Sequence, residues 1–209
     1  MISFRKSAIA LGFMVIFPVA AQACSSCGCT LNADWATQGL AAGKGWRFDL
    51  RYDYFNQTEL RSGTDSVDRS TIELPNESEV QQTTVNRNAT FGLEYSPNAN
   101  WGVGVQLPSF DRYHTTIGED ETELSSSRTK GIGDLRVIAR YAGVSEDHST
   151  GLQFGVKLPT GRTDDTFRDG PLQGEIIDRG LQMGTGSTDL LLGAYHFGAI
   201  AQNWDYFAQ

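Results

Sequence analysis

The three cysteines of the chain lie together near the N-terminus, in the stretch CSSCGC, as Cys24, Cys27 and Cys29. Cys24 and Cys27 have the C-x-x-C spacing that can close a small disulfide ring, which would leave Cys29 as an unpaired thiol. The three thiolates could instead hold a soft ion such as Cu(I) or Zn(II) in a trigonal site. Lipidation of Cys24 is the third alternative. Covalent haem is excluded because Gly28, and not histidine, follows Cys27.

A second group of chemically active residues alternates along the stretch WRFDLRYDY. Arg47, Asp49, Arg51 and Asp53 occupy every second position, and the positions between them hold large apolar or aromatic residues. A period of two predicts a β-strand with one charged face and one apolar face. Such a strand fits a soluble sheet with its charged face in water, or a membrane barrel with its apolar face in lipid.

The N-terminus favours an exported protein. Arg5 and Lys6 precede an apolar run, Ala8 to Ala21, and the sequence Ala21-Gln22-Ala23 fits a signal-peptide cleavage site. The run is shorter than the roughly 20 residues that a membrane-spanning helix needs. We therefore assign residues 1–23 to a signal peptide, residues 24–45 to a cysteine-containing periplasmic segment, and residues 46–209 to one β-domain.

Charge argues against a nucleic-acid partner. The chain has 209 residues and a formal charge of −8, and loss of residues 1–23, which carry two basic and no acidic residues, makes it −10. An acidic exported protein repels a phosphate backbone.

Six apolar-alternating stretches and the start of a seventh predict an all-β fold after residue 45. The connections between them alternate between short and long without exception, the long ones being residues 57–82, 110–130 and 160–187. Outer-membrane barrels have short periplasmic turns and longer outer loops. The predicted strands are Trp46–Asn56, Thr83–Tyr95, Trp101–Ser109, Gly131–Tyr141, Gly151–Pro159, Thr188–Phe197 and a strand that begins at Trp204.

Large aromatic residues mark one end of these strands. Strands begin at Trp46, Trp101 and Trp204 and end at Tyr95, Tyr141 and Phe197, always next to a short connection. In a barrel these six side chains would form an aromatic belt at the periplasmic interface. In a soluble protein they would pack at the ends of a core.

Together these patterns predict an antiparallel up-and-down outer-membrane β-barrel. Because such barrels have an even number of strands and the seventh strand is short, we expect an incomplete barrel, an open curved sheet of about seven strands truncated at the C-terminus. A structural ion-pair ladder that plugs the barrel is the alternative to an open lumen. The residues predicted to line the lumen are Arg47, Asp49, Arg51, Asp53, Glu94, Arg136, Arg140 and Lys157.

Two motifs occur twice. GVQLPSF (Gly104–Phe110) is echoed by GVKLPTG (Gly155–Gly161), and GIGDL (Gly131–Leu135) is echoed by GSTDL (Gly186–Leu190). With the longer stretch GTGSTDLLLGAYHF, these motifs resemble the outer-membrane transporter family named for the meta-pathway of phenol degradation. The resemblance covers Trp46 to the end of the chain. It implies a barrel that passes small, often aromatic or apolar, solutes.

The sequence gives only weak evidence for a catalytic site or a calcium site. No catalytic or phosphate-binding motif is present, although His114 lies close in sequence to Ser109, as a lipid hydrolase would require. Asp164, Asp165 and Asp169 contain enough carboxylate oxygens for a calcium site. We predict neither catalysis nor a cofactor.

The sequence thus favours a passive channel whose partners are outer-membrane lipid and small solutes. The alternatives are an envelope protein in which the cysteine cluster performs metal or redox chemistry, and a barrel enzyme acting on lipids.

Overall fold

The computed structural model of the protein describes residues 43–209. This part of the chain is all-β, as predicted, and contains no α-helix. The strands are β1 (Gly45–Gln57), β2 (Leu60–Ser62), β3 (Asp65–Val67), β4 (Val80–Ser96), β5 (Trp101–Ile117), β6 (Leu124–Ile132), β7 (Leu135–Tyr141), β8 (Thr150–Leu158), β9 (Asp189–Ala201) and β10 (Trp204–Ala208).

One antiparallel sheet, curled into a half-barrel, carries most of these strands. Its order is β1-β4-β5-β7-β8-β9-β10, with β6 paired to the outer part of β5, and β2 and β3 form a separate hairpin. The prediction of an open, curved antiparallel sheet with seven strand positions is confirmed. In the described part of the chain β1 and β10 are its two edges.

Matching side chains set the register of the first two strands. Trp46 lies opposite Tyr95, Phe48 opposite Leu93 and Leu50 opposite Phe91. Side chains directly opposite each other in an antiparallel pair share a face and contact each other. A slip of one residue would move the apolar set to the charged face, so this register is strongly specified.

The predicted strand Gly131–Tyr141 is wrong in part, because Gly131 and Ile132 end β6 and only Leu135–Tyr141 forms β7. Ser109 pairs with Ile132 and Gln106 pairs with Arg136, so three steps along β5 face four steps along its partner. This extra residue is a β-bulge. Gly133 and Asp134 lie between the strands, where a Cβ on Gly133 would come within 2.4 Å of the Phe110 ring.

The predicted long connection 110–130 is also wrong. β5 continues to Ile117 and β6 begins at Leu124, so most of this stretch extends the sheet as a hairpin. Its strand character was missed because serine and threonine replace the apolar residues there. The short connection after β9 is tighter than expected, because only Gln202 and Asn203 separate β9 from β10, and Asn203 takes a positive φ of 69°.

Residues 159–188, between β8 and β9, form a folded segment that we call the inward segment. Thr166 bridges to Ile176 within it, and Asp169 bridges to Ser126 of β6. Phe167, Ile177 and Leu181 form a small buried hydrophobic cluster inside it. The inward segment therefore has a core of its own and packs against the extended β5–β6 hairpin.

The side chain of Asp147 stabilises the turn that connects β7 and β8. Its carboxylate accepts hydrogen bonds from the Ser149 amide at 3.1 Å and the Ser149 hydroxyl at 2.8 Å. A hydrogen bond from the Ser145 side chain, together with these two from Ser149, stabilises the charged form and lowers the pKa of Asp147 to about 2.

We predict that NMR titration of Asp147 will give a pKa near 2. The contribution of this turn to stability should be complete above pH 4 and should be lost as the pH falls toward 2, because a depressed folded-state pKa stabilises only the ionised form. Asp147→Asn should abolish this acid dependence. A titration near the usual aspartate value would contradict the turn geometry.

Candidate functional site

Apolar and polar residues are distributed between the two faces of the sheet in the reverse of a soluble protein. The apolar face is open to the surroundings, with Trp46 70%, Leu190 84% and Leu192 86% exposed. The concave face carries the buried polar residues, among them Asn86 and Ser125, both fully buried. Within residues 43–209 the buried set is mostly polar, so burial here does not follow the usual preference for hydrophobic side chains.

A three-residue ion network lies on the concave face near the short turns. Glu94 accepts hydrogen bonds from Arg47 at 2.7 Å and from Arg140 at 2.9 Å. Glu94 and Arg140 belong to strands that flank β5, and they meet across it because Gly102 has no side chain. A Cβ on Gly102 would lie 2.4 Å from the Glu94 carboxylate oxygen.

The other charged residues of β1 lie on the same concave face. The Arg51 guanidinium donates to Asp53 at 2.9 Å. Asp49 lies over Gly92 of β4, where a Cβ would come within 2.0 Å of its carboxylate. Glycines on the concave face thus leave the room that long charged side chains need to lie across neighbouring strands.

The repeated sequence motifs meet at one buried carboxylate, Asp134, which lies in the β-bulge. One oxygen accepts from the Gly161 amide at 3.0 Å, and the other from the amide and hydroxyl of Thr185 at 2.9 and 3.0 Å. Lys157 lies 3.6 Å from Asp134 and also pairs with Asp189. We call these residues the Asp134 cluster.

The Asp134 cluster joins the two ends of the inward segment. The Gly184 amide donates to the Arg162 carbonyl at 2.9 Å, and a Cβ on Gly161 would lie 2.7 Å from the Gly184 backbone. The two backbones approach this closely only because both residues are glycine. This explains why glycine appears in both LPTG and GTGST.

Arg112 of β5 holds the later part of the inward segment, at residues 180 and 182. Its guanidinium donates to the carbonyl oxygens of Gly180 and Gln182, both at 2.9 Å, and lies 4.2 Å from the centre of the Phe110 ring. The Thr129 hydroxyl donates to the Leu181 carbonyl at 3.2 Å. The segment is therefore fixed against the concave face along its length.

A cavity of about 1290 Å³ lies between the concave face and the inward segment. β1, β4, β5, β7, β8 and β9 all contribute to its wall, and residues 179–185 of the inward segment contribute from the other side. A volume of this size accommodates a small organic molecule.

His114 lies at the outer end of the concave face and is almost completely buried. One ring nitrogen is 2.8 Å from the Thr84 hydroxyl and the other is 3.4 Å from Glu79. The hydrogen bond with His114 lowers the pKa of Glu79, whereas burial, with the charge of Glu79, raises the pKa of nearby Asp178. This cluster does not line the cavity.

The eight residues predicted to line a lumen all belong to the strands that form the concave face. Arg47, Glu94 and Arg140 form one network, and Arg51 pairs with Asp53. The structure adds polar residues that the sequence analysis missed, because their partners are distant along the chain. The most important of these are Arg112, Asp134, Thr185 and Asp189.

Two of the weaker sequence-based sites are not assembled. Ser109 and His114 are an odd number of residues apart on one strand, so their side chains point to opposite faces and cannot form a catalytic pair. Asp165 instead pairs with Arg162, and Asp169 accepts from Ser126. Asp164, Asp165 and Asp169 are not brought together, and residues 43–209 contain no group of three His, Cys, Asp or Glu side chains placed to hold a metal ion. Cys24, Cys27 and Cys29, and the predicted signal peptide of residues 1–23, lie outside the described residues.

Comparison with known proteins does not assign the chain to a family. No family model and no curated protein sequence matches it. In residues 43–209 there is no helix of the length and hydropathy required to cross a membrane.

Substitution of Asp134 tests how much the Asp134 cluster contributes to stability. Asp134→Ala should lower the free energy of unfolding by roughly 3 kcal/mol, because it leaves buried donors on Gly161 and Thr185 without an acceptor. Asp164→Ala, at an exposed position in the same segment, should change it by less than about 0.5 kcal/mol. Denaturant unfolding of both variants makes the comparison, and equal effects would show that Asp134 does not organise the segment.

Proposed function

We propose that the protein is an outer-membrane β-barrel that lets small solutes cross passively through a polar interior. The observation that carries this proposal is the reversed distribution of side chains, with large apolar residues exposed and charged residues buried on the concave face. In lipid this distribution is favourable, since apolar side chains meet acyl chains and the polar groups face a wet lumen.

Aromatic contacts support a membrane boundary at the short-turn end. Trp46 and Tyr95 lie with ring centres 4.7 Å apart, and Trp101 and Tyr141 lie 4.8 Å apart. Trp204, on β10, is 71% exposed. Tryptophan and tyrosine prefer the interface between lipid and water, so this row fits a periplasmic belt.

The interior of the half-barrel leaves room beside its ion pairs, which supports the proposed passage. Charged residues cross-link neighbouring strands, yet a cavity of about 1290 Å³ remains beside them. Export to the outer membrane, contact with its lipids and membership of the phenol-pathway transporter family stay predictions of the same proposal. They rest on the signal-peptide pattern and on the motifs that converge on Asp134.

The proposed lipid-facing surface can be tested at Val105 of β5, which is 38% exposed and lies between Leu93 of β4 and Val137 of β7. In lipid vesicles Val105→Arg should lower the free energy of unfolding by about 2–4 kcal/mol, because a cation near the bilayer midplane is costly. Val144→Arg is the matched control, since Val144 is 51% exposed but lies in the turn after β7. If denaturant titration finds both variants equally stable, Val105 does not face lipid.

Transport can be tested by conductance of the full-length protein in planar bilayers. We expect single-channel currents, and Thr90→Trp should reduce them because Thr90 lines the cavity and a larger side chain would narrow it. Thr71→Trp, in the connection that contains β2 and β3, should leave the current unchanged. A protein that inserts into the bilayer without conducting would contradict the channel.

A further inference from the structure

We propose that the cavity beneath the inward segment selects small amphipathic monoanions, meaning a carboxylate carried on an apolar body. This inference deepens the proposed channel and rests on it. It starts from the charges on the cavity wall, which differ in sign from the acidic chain as a whole.

Each carboxylate on the cavity wall already has a partner. Asp53 binds Arg51, Asp134 binds Gly161 and Thr185, and Asp189 binds Lys157. The remaining one, Asp49, also has an interaction partner. The negative charge of each carboxylate is therefore already offset by a neighbouring group, which weakens its attraction for a cationic solute.

Two of the five cations on the same wall have no such partner. Arg112 is bound to carbonyl oxygens, and Arg51 and Lys157 are paired with aspartates. By contrast, Arg136 and Arg179 form no ion pair or side-chain hydrogen bond with any other of residues 43–209.

The cross-strand neighbours of Arg136 leave its charge available. Arg136 lies directly opposite Lys157 in the β7–β8 register and opposite Gln106 in the β5–β7 register, so no carboxylate faces it from either adjacent strand. Arg179 reaches the cavity from the inward segment. Guanidinium groups bind carboxylates through two parallel hydrogen bonds, which makes these arginines suitable anion ligands.

The wall around these arginines is partly apolar. Pro108, Phe110 and Ile138 line it from the sheet, and Met183 lines it from the inward segment. A fully hydrated inorganic anion gains nothing from such a surface, whereas the apolar body of an organic anion buries area against it. The combination therefore points to an organic monoanion.

The experiment compares benzoate with benzyl alcohol and benzylamine, which share a ring and differ in charge. Each is added to the full-length protein in planar bilayers, and the concentration that half-blocks the chloride current is measured. Isothermal titration of the detergent-solubilised protein gives binding independently of conductance. We expect benzoate to act at a concentration roughly tenfold below that of the other two, the effect of one charge-assisted contact.

Substitution of the two arginines tests whether they are responsible for the preference for benzoate. Arg136→Gln and Arg179→Gln should each weaken benzoate about three- to tenfold and leave benzyl alcohol unchanged. Arg61→Gln is the matched control, because Arg61 pairs with Glu59 in the β2–β3 hairpin outside the cavity wall. Hexanoate should act like benzoate and acetate much more weakly, since the wall recognises an apolar body of either kind.

The outcomes separate the two proposals. A conducting protein that treats benzoate and benzyl alcohol alike, or one whose response shifts as much with Arg61→Gln as with Arg136→Gln, overturns the anion site and leaves the channel standing. A protein that never conducts, yet binds benzoate by calorimetry in a manner that depends on Arg136 and Arg179, overturns the channel and retains the site.

Discussion

The shape of the concave face depends on the hydrogen bonds of one buried carboxylate. Asp134 lies in the bulge between β6 and β7 and binds the first part of the inward segment at Gly161 and the last part at Thr185. The bulge turns Asp134 inward, and the segment closes over the cavity from there. Without this acceptor, both ends of the segment would lose their attachment to the bulge, and the wall that carries Arg179 and Met183 would depend on the contacts of residues 180–182 with Arg112 and Thr129.

A second constraint is the space needed by charged side chains on a curved surface. On the concave side of a sheet the side chains converge, so long residues on every strand would collide. The chain solves this by placing Gly92 and Gly102 beneath Asp49 and the Glu94–Arg140 pair. Arg140 can then reach Glu94 across β5, and this contact offsets the cost of removing both charges from water.

Much of the sheet could be predicted from sequence, because alternation of apolar and polar residues reports strand faces directly. Trp46, Phe48 and Leu50 are exposed on one face, and the β1 arginines and aspartates alternate with them. The outer half of β5 and β6 could not be found this way. There both faces carry serine and threonine, so the pattern looked like a loop although the backbone pairs continuously.

The cavity could not be predicted from the sequence for a different reason, namely that long-range contacts form it. Arg112 binds residues 180 and 182, and Asp134 binds residue 185, and no local pattern reports contacts at such separations. The repeated LPTG and GTGST motifs did mark the residues involved. Their glycines and threonines were recognisable as a signature, but only the fold shows that they surround one aspartate.

The close approach of Gly161 and Gly184 also bears on how this protein can diversify. The two backbones form a neck where the chain enters and leaves the inward segment. Beyond this neck the segment has its own hydrophobic cluster of Phe167, Ile177 and Leu181. The loop is closed at this neck, and doubling the length of a flexible loop costs only about 0.6 kcal/mol of chain entropy. Insertions at exposed positions of the segment can therefore enlarge it while the strands below keep their register, provided that its contacts with Arg112 and Thr129 are kept.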